Sequence, residues 1–163
     1  MEKTPDRRIR KTQQLIKNTL IELLKEKSIQ EISVVELSDR ADLNRGTFYL
    51  HFKDIFSLLE QMEHEFFMEL KNIMDSHPVQ ETNDLPLPLL EDLFRLLEKN
   101  VSFCIVLLSS NGTISFINQL KLLLRETCFN HWSYLFHKEE DALFEYYYNY
   151  ILGGCIGLIE VWL

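Results

Sequence analysis

Hydrophobic residues recur at every third or fourth position along most of the chain, which is the spacing of amphipathic helices. Ser33, followed three residues later by Glu36, forms a capping-box pattern and predicts the start of a second helix. Asn44 predicts the N-cap of a short third helix. Helices are predicted over 6–27, 34–41, 45–52, 53–75, 89–99, 102–108, 114–137 and 139–163.

Breaks between the later helices are few. The segment 77–88 contains Pro78, Pro86 and Pro88 and is the predicted linker, and the polar run 109–112 is a second break. The last helix has no stop signal, so we expect the natural protein to continue beyond this chain.

Composition supports a helical protein. The 163 residues include only 5 Gly and 4 Pro, too few for the turns of an all-β fold. The 3 Cys are widely spaced and form no CxxC motif, so we expect buried, reduced thiols. With no signal-peptide pattern at its start and no membrane-spanning run, the chain is predicted to be cytoplasmic and not membrane-bound.

Charge is distributed unevenly along the chain. The net charge is −8, yet residues 1–53 carry 11 Lys and Arg against 8 Asp and Glu, whereas residues 54–163 carry 6 against 17. A basic head on an acidic body indicates that only the head faces a polyanion. We therefore treat 1–53 as a candidate nucleic-acid-binding domain and 54–163 as a second domain.

The pattern of a capped helix, a turn and a second capped helix predicts a helix-turn-helix over about 33–52, within a three-helix head. Arg45 stands at the amino end of the third helix, where its guanidinium can donate two hydrogen bonds to a guanine edge. Gly46 lets a base approach the backbone, and His51 either contacts a phosphate or only caps the helix. Phe48 and Phe52 are expected in the core. The predicted DNA-binding residues are Ser33, Asn44, Arg45, Gly46, Thr47, Tyr49, His51 and Lys53.

Residues 9–59 resemble the TetR family of bacterial transcriptional regulators. The resemblance lies in the runs ISVVEL at 32–37 and ADLNRGTFYLHFKD at 41–54. It implies an all-α homodimer whose two heads enter successive major grooves of a palindromic operator. It also implies a C-terminal helical domain for ligand binding and dimerisation. Residues 98–103, 107–109 and 147–163 resemble a smaller class, related to the regulators of dihydroxyacetone kinase operons.

Two further sites are predicted in the C-terminal domain. Apolar and aromatic side chains that either line an effector pocket or fill the core are Phe66, Leu70, Phe103, Phe116, Leu120, Trp132, Tyr147 and Ile151. Two glycines four residues apart on the last helix indicate close helix packing, either across a dimer interface or within the chain. The predicted interface residues are Gly153, Ile156, Gly157 and Glu160.

No enzyme motif is present. The sequence has no Gly-rich phosphate loop, GxSxG or HExxH motif, and we expect no catalysis, no metal and no cofactor. The predicted function is a DNA-binding regulator, a repressor released by a small molecule. The alternative is a co-regulator controlled by a protein partner.

Overall fold

The computed structural model describes residues 7–77, 87–109, 113–132 and 142–162. These ranges are helical and contain no strand, which confirms the predicted all-α fold. The helices are α1 Arg7–Glu26, α2 Val34–Arg40, α3 Arg45–Tyr49, α4 Ile55–Ser76, α5 Leu87–Lys99, α6 Val101–Leu108, α7 Ile114–Trp132 and α8 Ala142–Trp162. A single 3₁₀ turn, Ile29–Glu31, separates α1 from α2.

The starts of α4, α5 and α6 differ from the sequence prediction by one or two residues. The predicted linker was wrong at its end, because α5 begins at Leu87 and includes Pro88 in its first turn. Proline is tolerated there, since the first N–H groups of a helix have no intrahelical acceptor. Helix α4 begins at Ile55, because Asp54 and Ser57 cap it reciprocally: the Ser57 N–H donates to Asp54 Oδ1 at 2.7 Å, and the Asp54 N–H donates to Ser57 Oγ at 3.0 Å. The predicted end of α7 and start of α8 lie outside the described residues.

The chain divides into two compact units, one within Met1–Phe66 and Val106–Gly112 and the other within Phe67–Ile105 and Thr113–Leu163. In the first unit, α2 contacts both α1 and α3. The side chains of this core with no exposed surface are Ile16, Leu20, Leu23, Leu24, Leu37, Phe48 and Leu58. The predicted domain boundary after residue 53 stays a prediction.

Ion pairs at the surface of the first unit connect its helices. Arg40 at the end of α2 donates two hydrogen bonds, of 2.8 and 2.5 Å, to the carboxylate of Glu26 at the end of α1. Lys17 of α1 pairs with Glu65 of α4. The first pair joins the ends of α1 and α2 next to the turn that follows α2, and the second joins α1 to α4.

In the second unit, α8 packs on α7 through a small cluster around Phe144 and Tyr148. The Tyr148 hydroxyl donates to the carbonyl oxygen of Lys121 at 2.9 Å, and Arg125 pairs with Glu145 at 2.6 Å. Within the described ranges, no helix is both long and apolar enough to cross a membrane.

The prediction of buried thiols holds for one described cysteine and is wrong for another. Cys104 is buried, and burial raises the pKa of its thiol to about 11. Cys155 is exposed on α8. The side chain of Cys128 lies outside the described part of the chain.

Candidate nucleic-acid interface

The rotation of α3 about its axis is set by two buried aromatic side chains. Phe48 is fully buried and Phe52 is nearly so, and their ring centroids lie 5.8 Å apart. Phe52 lies just beyond the end of α3, and its N–H still donates to the Phe48 carbonyl at 3.0 Å, so the two rings are on the same side of the chain. Because this face is anchored in the core, the opposite face of α3 is directed at solvent.

The turn between α2 and α3 is a Schellman motif. The Leu43 N–H donates to the Ser38 carbonyl at 2.9 Å, and the Asp42 N–H donates to the Asp39 carbonyl at 3.2 Å. Asp42 stands at the left-handed position of the motif, with a φ of 53°. These bonds satisfy the last carbonyls of α2 and direct the chain into α3.

The start of α3 is capped as the sequence predicts. The side-chain oxygen of Asn44 accepts a hydrogen bond from the Gly46 N–H at 2.8 Å. Asn44 therefore has a structural role as the N-cap, whether or not its side chain also contacts a ligand.

The residues predicted to contact DNA lie at the surface to different degrees. Asn44, Arg45, Gly46, Tyr49 and Lys53 are exposed, and the Tyr49 side chain has 58% of its surface accessible. Thr47 and His51 are half-buried. The structure thus brings five exposed residues together on or beside one short helix.

Ser33 is exposed at the start of α2, and its hydroxyl accepts a hydrogen bond from the Glu36 N–H at 3.2 Å. The predicted capping box is only half formed, because the Glu36 carboxylate pairs with Lys27 of the first unit instead. The hydroxyl of Ser33 is thus already occupied as an N-cap acceptor.

Sequence reasoning missed Leu50, the most exposed large apolar side chain of the described head, with 81% of its surface accessible. The spacing of the two phenylalanines could have identified Leu50 as an exposed residue. Phe48 and Phe52 were both assigned to the core, and a residue halfway between two core positions one turn apart lies on the opposite side of a helix. Leu50 therefore belongs to the outward face of α3.

Exposed cationic side chains in the described part of the head favour an anionic ligand. The exposed cations at the start of α1 are Arg7, Arg8, Arg10 and Lys11. Among the residues that the structure describes, Arg45 forms no ion pair, whereas Arg40 is held by Glu26. A ligand of Arg40 would thus have to compete with Glu26, whereas no such competing ion pair is seen for Arg45 within the described residues.

The predicted effector pocket is not tested by the structure and stays a prediction. Phe66 is buried in the first unit, and Leu70, Phe103 and Phe116 are buried in the second. Leu120 and Ile151 are half-buried and Tyr147 is half exposed. The side chain of Trp132 lies outside the described residues. A shallow groove of about 170 Å³ in the second unit is lined by other residues, namely Phe67, Lys71, Gln119, Leu122, Leu123 and Glu126.

The predicted interface residues lie in the last turns of α8. Gly153 is exposed and Gly157 is half-buried, and a Cβ atom at either position would have no described atom within 4 Å. Ile156 is half-buried, and nothing is described of the side chain of Glu160. The close packing predicted for the two glycines is therefore not made within the described part of this chain.

Comparison with known proteins gives two matches. Residues 84–163 match the TetR C-terminal family model described as the transcriptional regulator C-terminal region. Over 47 residues, 29% of this chain, the sequence is 38% identical to an uncharacterised HTH-type transcriptional regulator, YxbF, of Bacillus subtilis (strain 168). The match spans only 12% of that relative's length. No solved structure matches the chain significantly.

The family match covers just under half of the chain, and the relative carries a helix-turn-helix designation in its name. The all-helical fold agrees with both. The C-terminal region of the chain is thus similar to that of TetR-type transcriptional regulators, and a segment of 47 residues is similar to an HTH-type transcriptional regulator.

Proposed function

We propose that the protein binds double-stranded DNA sequence-specifically through α3, as a homodimer on a palindromic operator in the cytoplasm. We further propose that it is a repressor, whose occupancy of the operator blocks transcription and ends when a small molecule binds the C-terminal domain. The observation that carries the proposal is the outward face of α3. There Arg45, which forms no ion pair among the described residues, and an exposed Tyr49 lie to one side of a residue without a side chain, Gly46.

The geometry of α3 suits the major groove. A helix admitted to that groove presents its amino end to base edges, and arginine there reads guanine by two hydrogen bonds. Arg45 is the first residue of α3, and the Asn44 cap holds the helix start in place. The absence of a side chain at Gly46 leaves room for a base pair to approach the backbone.

The basic start of α1 supports a polyanionic ligand. The first turn of α1 contains no acidic residue, and Arg7, Arg8 and Arg10 lie in or next to it. Positive charges are unfavourable at a helix N-terminus because they face the positive end of the helix dipole. Phosphates of bound DNA would offset this repulsion, and their neutralisation makes affinity strongly salt-dependent.

The end of α8 supports a second copy of the chain as partner. Tyr146, Tyr150 and Val161 are highly exposed, and they share a face with Gly153 and Gly157. A helix that is apolar on most sides is expected to be buried. Glycines at close spacing allow two helix backbones to approach, so a helix from a second copy fits this face.

Release by an effector requires that the ligand bind one arrangement of the two heads better than the other. The buried aromatic residues of the second unit, among them Phe103 and Phe116, are the proposed lining of that site. We expect a small, mainly apolar or amphipathic molecule, since none of the predicted lining side chains is charged.

The test is selection of binding sites from a random duplex library, followed by titration of the selected duplex at several salt concentrations. Arg45→Ala is expected to relax base preference at one position by about 1–3 kcal/mol. Lys53→Ala is expected to weaken binding to all DNA sequences alike. It is also expected to lower the slope of log affinity against log salt concentration by about one.

The matched controls are Arg95→Ala and Lys99→Ala, which remove the same side chains from exposed positions of α5 in the second unit. Both are expected to bind DNA as the parent does. Failure of the parent to select any sequence would refute the proposal, and equal effects of Arg45→Ala and Arg95→Ala would refute the assignment of α3.

A further inference from the structure

Leu50 is an exposed apolar residue in the middle of a polar, cationic surface. Its side chain has 81% of its surface accessible, and its neighbours on and after α3 are Tyr49 and Lys53, both exposed. Single exposed leucines are common on protein surfaces and by themselves indicate nothing. Leu50 differs from such leucines because it lies one helical turn after Gly46, a position without a side chain.

Leu50 continues the helical backbone of α3, with φ −69° and ψ −21°, and its N–H donates to the Gly46 carbonyl at 3.1 Å. The two residues are therefore one turn apart on the same face. At about 100° per residue, that face lies opposite the buried Phe48 and Phe52. Gly46 and Leu50 thus form the centre of the outward face, with Arg45 and Tyr49 to one side.

Side chains on a helix lean toward its N-terminus and cover the turn before their own Cα. Leu50 therefore leans toward position 46, where there is no side chain. Apart from the chain neighbours and the backbone of α3, the atom within 4 Å of a Cβ built at position 46 is Asn44 Oδ1, at 3.2 Å, and the Leu50 side chain stays farther away. The surface between Leu50 and the Gly46 backbone is thus open to an approaching group.

The major-groove edge of DNA offers one apolar group, the C5-methyl of thymine. We propose that Leu50, beside the open position at Gly46, contacts a thymine methyl in each half-site and so determines specificity at that base pair. This inference rests on the proposed function. The flanking Arg45 and Lys53 supply the positive charge that brings this face to DNA rather than to an apolar partner.

The experiment compares thymine with deoxyuridine, which lacks only the methyl group. In the duplex selected by the parent protein, each thymine is replaced in turn. One replacement per half-site is expected to weaken binding by about fourfold, the equivalent of one buried methylene-sized group. In Leu50→Ala, that position is expected to show no difference between thymine and deoxyuridine, while all other positions behave as in the parent.

Two further variants make the result decisive. Leu122→Ala removes an exposed leucine from the second unit and is expected to keep the parent's methyl effect. Leu50→Gln keeps the length of the side chain but not its apolar character, and is expected to lose the effect as Leu50→Ala does. Melting curves of each variant check that the fold is retained.

The inference is overturned if no thymine of the selected site shows a methyl effect, or if Leu50→Ala leaves that effect unchanged. In either case the proposed function stands, provided that the parent selects a site and Arg45→Ala alters its preference. Failure of the parent to bind any duplex overturns both.

Discussion

The side-chain oxygen of Asn44 governs two properties of Gly46. It accepts the Gly46 N–H at 2.8 Å, and it lies 3.2 Å from the place where a Cβ at position 46 would stand. The atom that caps α3 therefore also limits which residue can follow Arg45. A larger residue at 46 would require the Asn44 side chain to shift by a few tenths of an ångström, independently of any ligand.

The capping and DNA-binding roles of Asn44 can be separated by two substitutions. Asn44→Ala removes the cap and is expected to lower the free energy of unfolding by about 1 kcal/mol. Asn44→Asp keeps an acceptor for the Gly46 N–H and adds a negative charge that the helix N-terminus favours. We expect it to preserve stability but to weaken DNA binding, because the new charge faces phosphates. Urea denaturation and DNA titration of both variants check this. Parent-like DNA affinity in Asn44→Asp would place Asn44 away from the DNA.

Asp42 adopts a left-handed backbone, with a φ of 53°, in the turn that leads into α3. This conformation disfavours L-residues by roughly 1–2 kcal/mol, and glycine adopts it freely. We expect Asp42→Gly to raise the free energy of unfolding by up to about 1 kcal/mol, since added freedom in the unfolded chain offsets part of the gain. Asp42→Val should lower it. A lower stability of Asp42→Gly in urea denaturation would show that the Asp42 side chain makes a compensating contact.

Ser38 is fully buried in α2, and its hydroxyl has no hydrogen-bond partner among the described residues. A buried hydroxyl without a partner disfavours the folded state by about 1–3 kcal/mol. Ser38→Ala is therefore expected to stabilise the protein by about 1 kcal/mol, helped by the higher helix propensity of alanine.

The matched control is Ser33→Ala, the same change at the N-cap of the same helix. Ser33 accepts the Glu36 N–H, so its loss should destabilise the protein by about 1 kcal/mol. Opposite signs for two Ser→Ala changes five residues apart, one at the N-cap of α2 and one inside it, would confirm the argument. A destabilised Ser38→Ala variant would mean that the hydroxyl has a partner after all.

The helices and the cap of α3 were predictable from the sequence because they depend on local signals. The spacing of Leu20, Leu23 and Leu24 follows the helical period, and Asn44 is a strong N-cap residue. The start of α5 was missed because Pro88 reads as a breaker, although the first turn of a helix accepts it.

The partners of the charged side chains could not be predicted from the sequence. Glu36 was expected to close a capping box with Ser33, yet its carboxylate pairs with Lys27, nine residues earlier in the chain. Likewise, the sequence does not show that Arg40 is bound by Glu26 whereas Arg45 is free of ion pairs among the described residues. Which charged side chains pair depends on how α1 and α2 pack. These pairings in turn determine which cations near the candidate site are held in ion pairs.

Acid is expected to destabilise the head. A hydrogen bond from Arg40 lowers the pKa of Glu26, a hydrogen bond from Ser28 lowers that of Glu31, and the backbone N–H of Ser57 lowers that of Asp54. Carboxyls with a lower pKa in the folded state stabilise it above their ordinary values, near 4.5 for Glu and 3.8 for Asp, and this contribution is lost as the pH falls through the folded pKa.

The melting temperature should therefore change little from neutral pH to about pH 5.5 on account of these groups and fall below about pH 4.5. Glu26→Gln should make that fall shallower, and Arg40→Gln should do the same, because each removes one partner of the pair. A fall as steep in Glu26→Gln as in the parent would show that the Arg40 hydrogen bond does not contribute.

The proposed dimer face of α8 gives the clearest test of assembly. A Cβ at Gly157 would meet no described atom within 4 Å, so Gly157→Leu is expected to leave the protomer folded while it blocks a close helix approach. Tyr150→Ala removes a side chain that is 80% exposed and should likewise weaken only the dimer. Its control is Tyr49→Ala, an exposed tyrosine of the head that is expected to affect DNA binding but not mass. Light scattering coupled to gel filtration should give twice 19.4 kDa for the parent and for Tyr49→Ala, and a lower mass for the two α8 variants. An unchanged dimer in Gly157→Leu would move the interface away from this face, since two helix backbones cannot approach closely across a leucine.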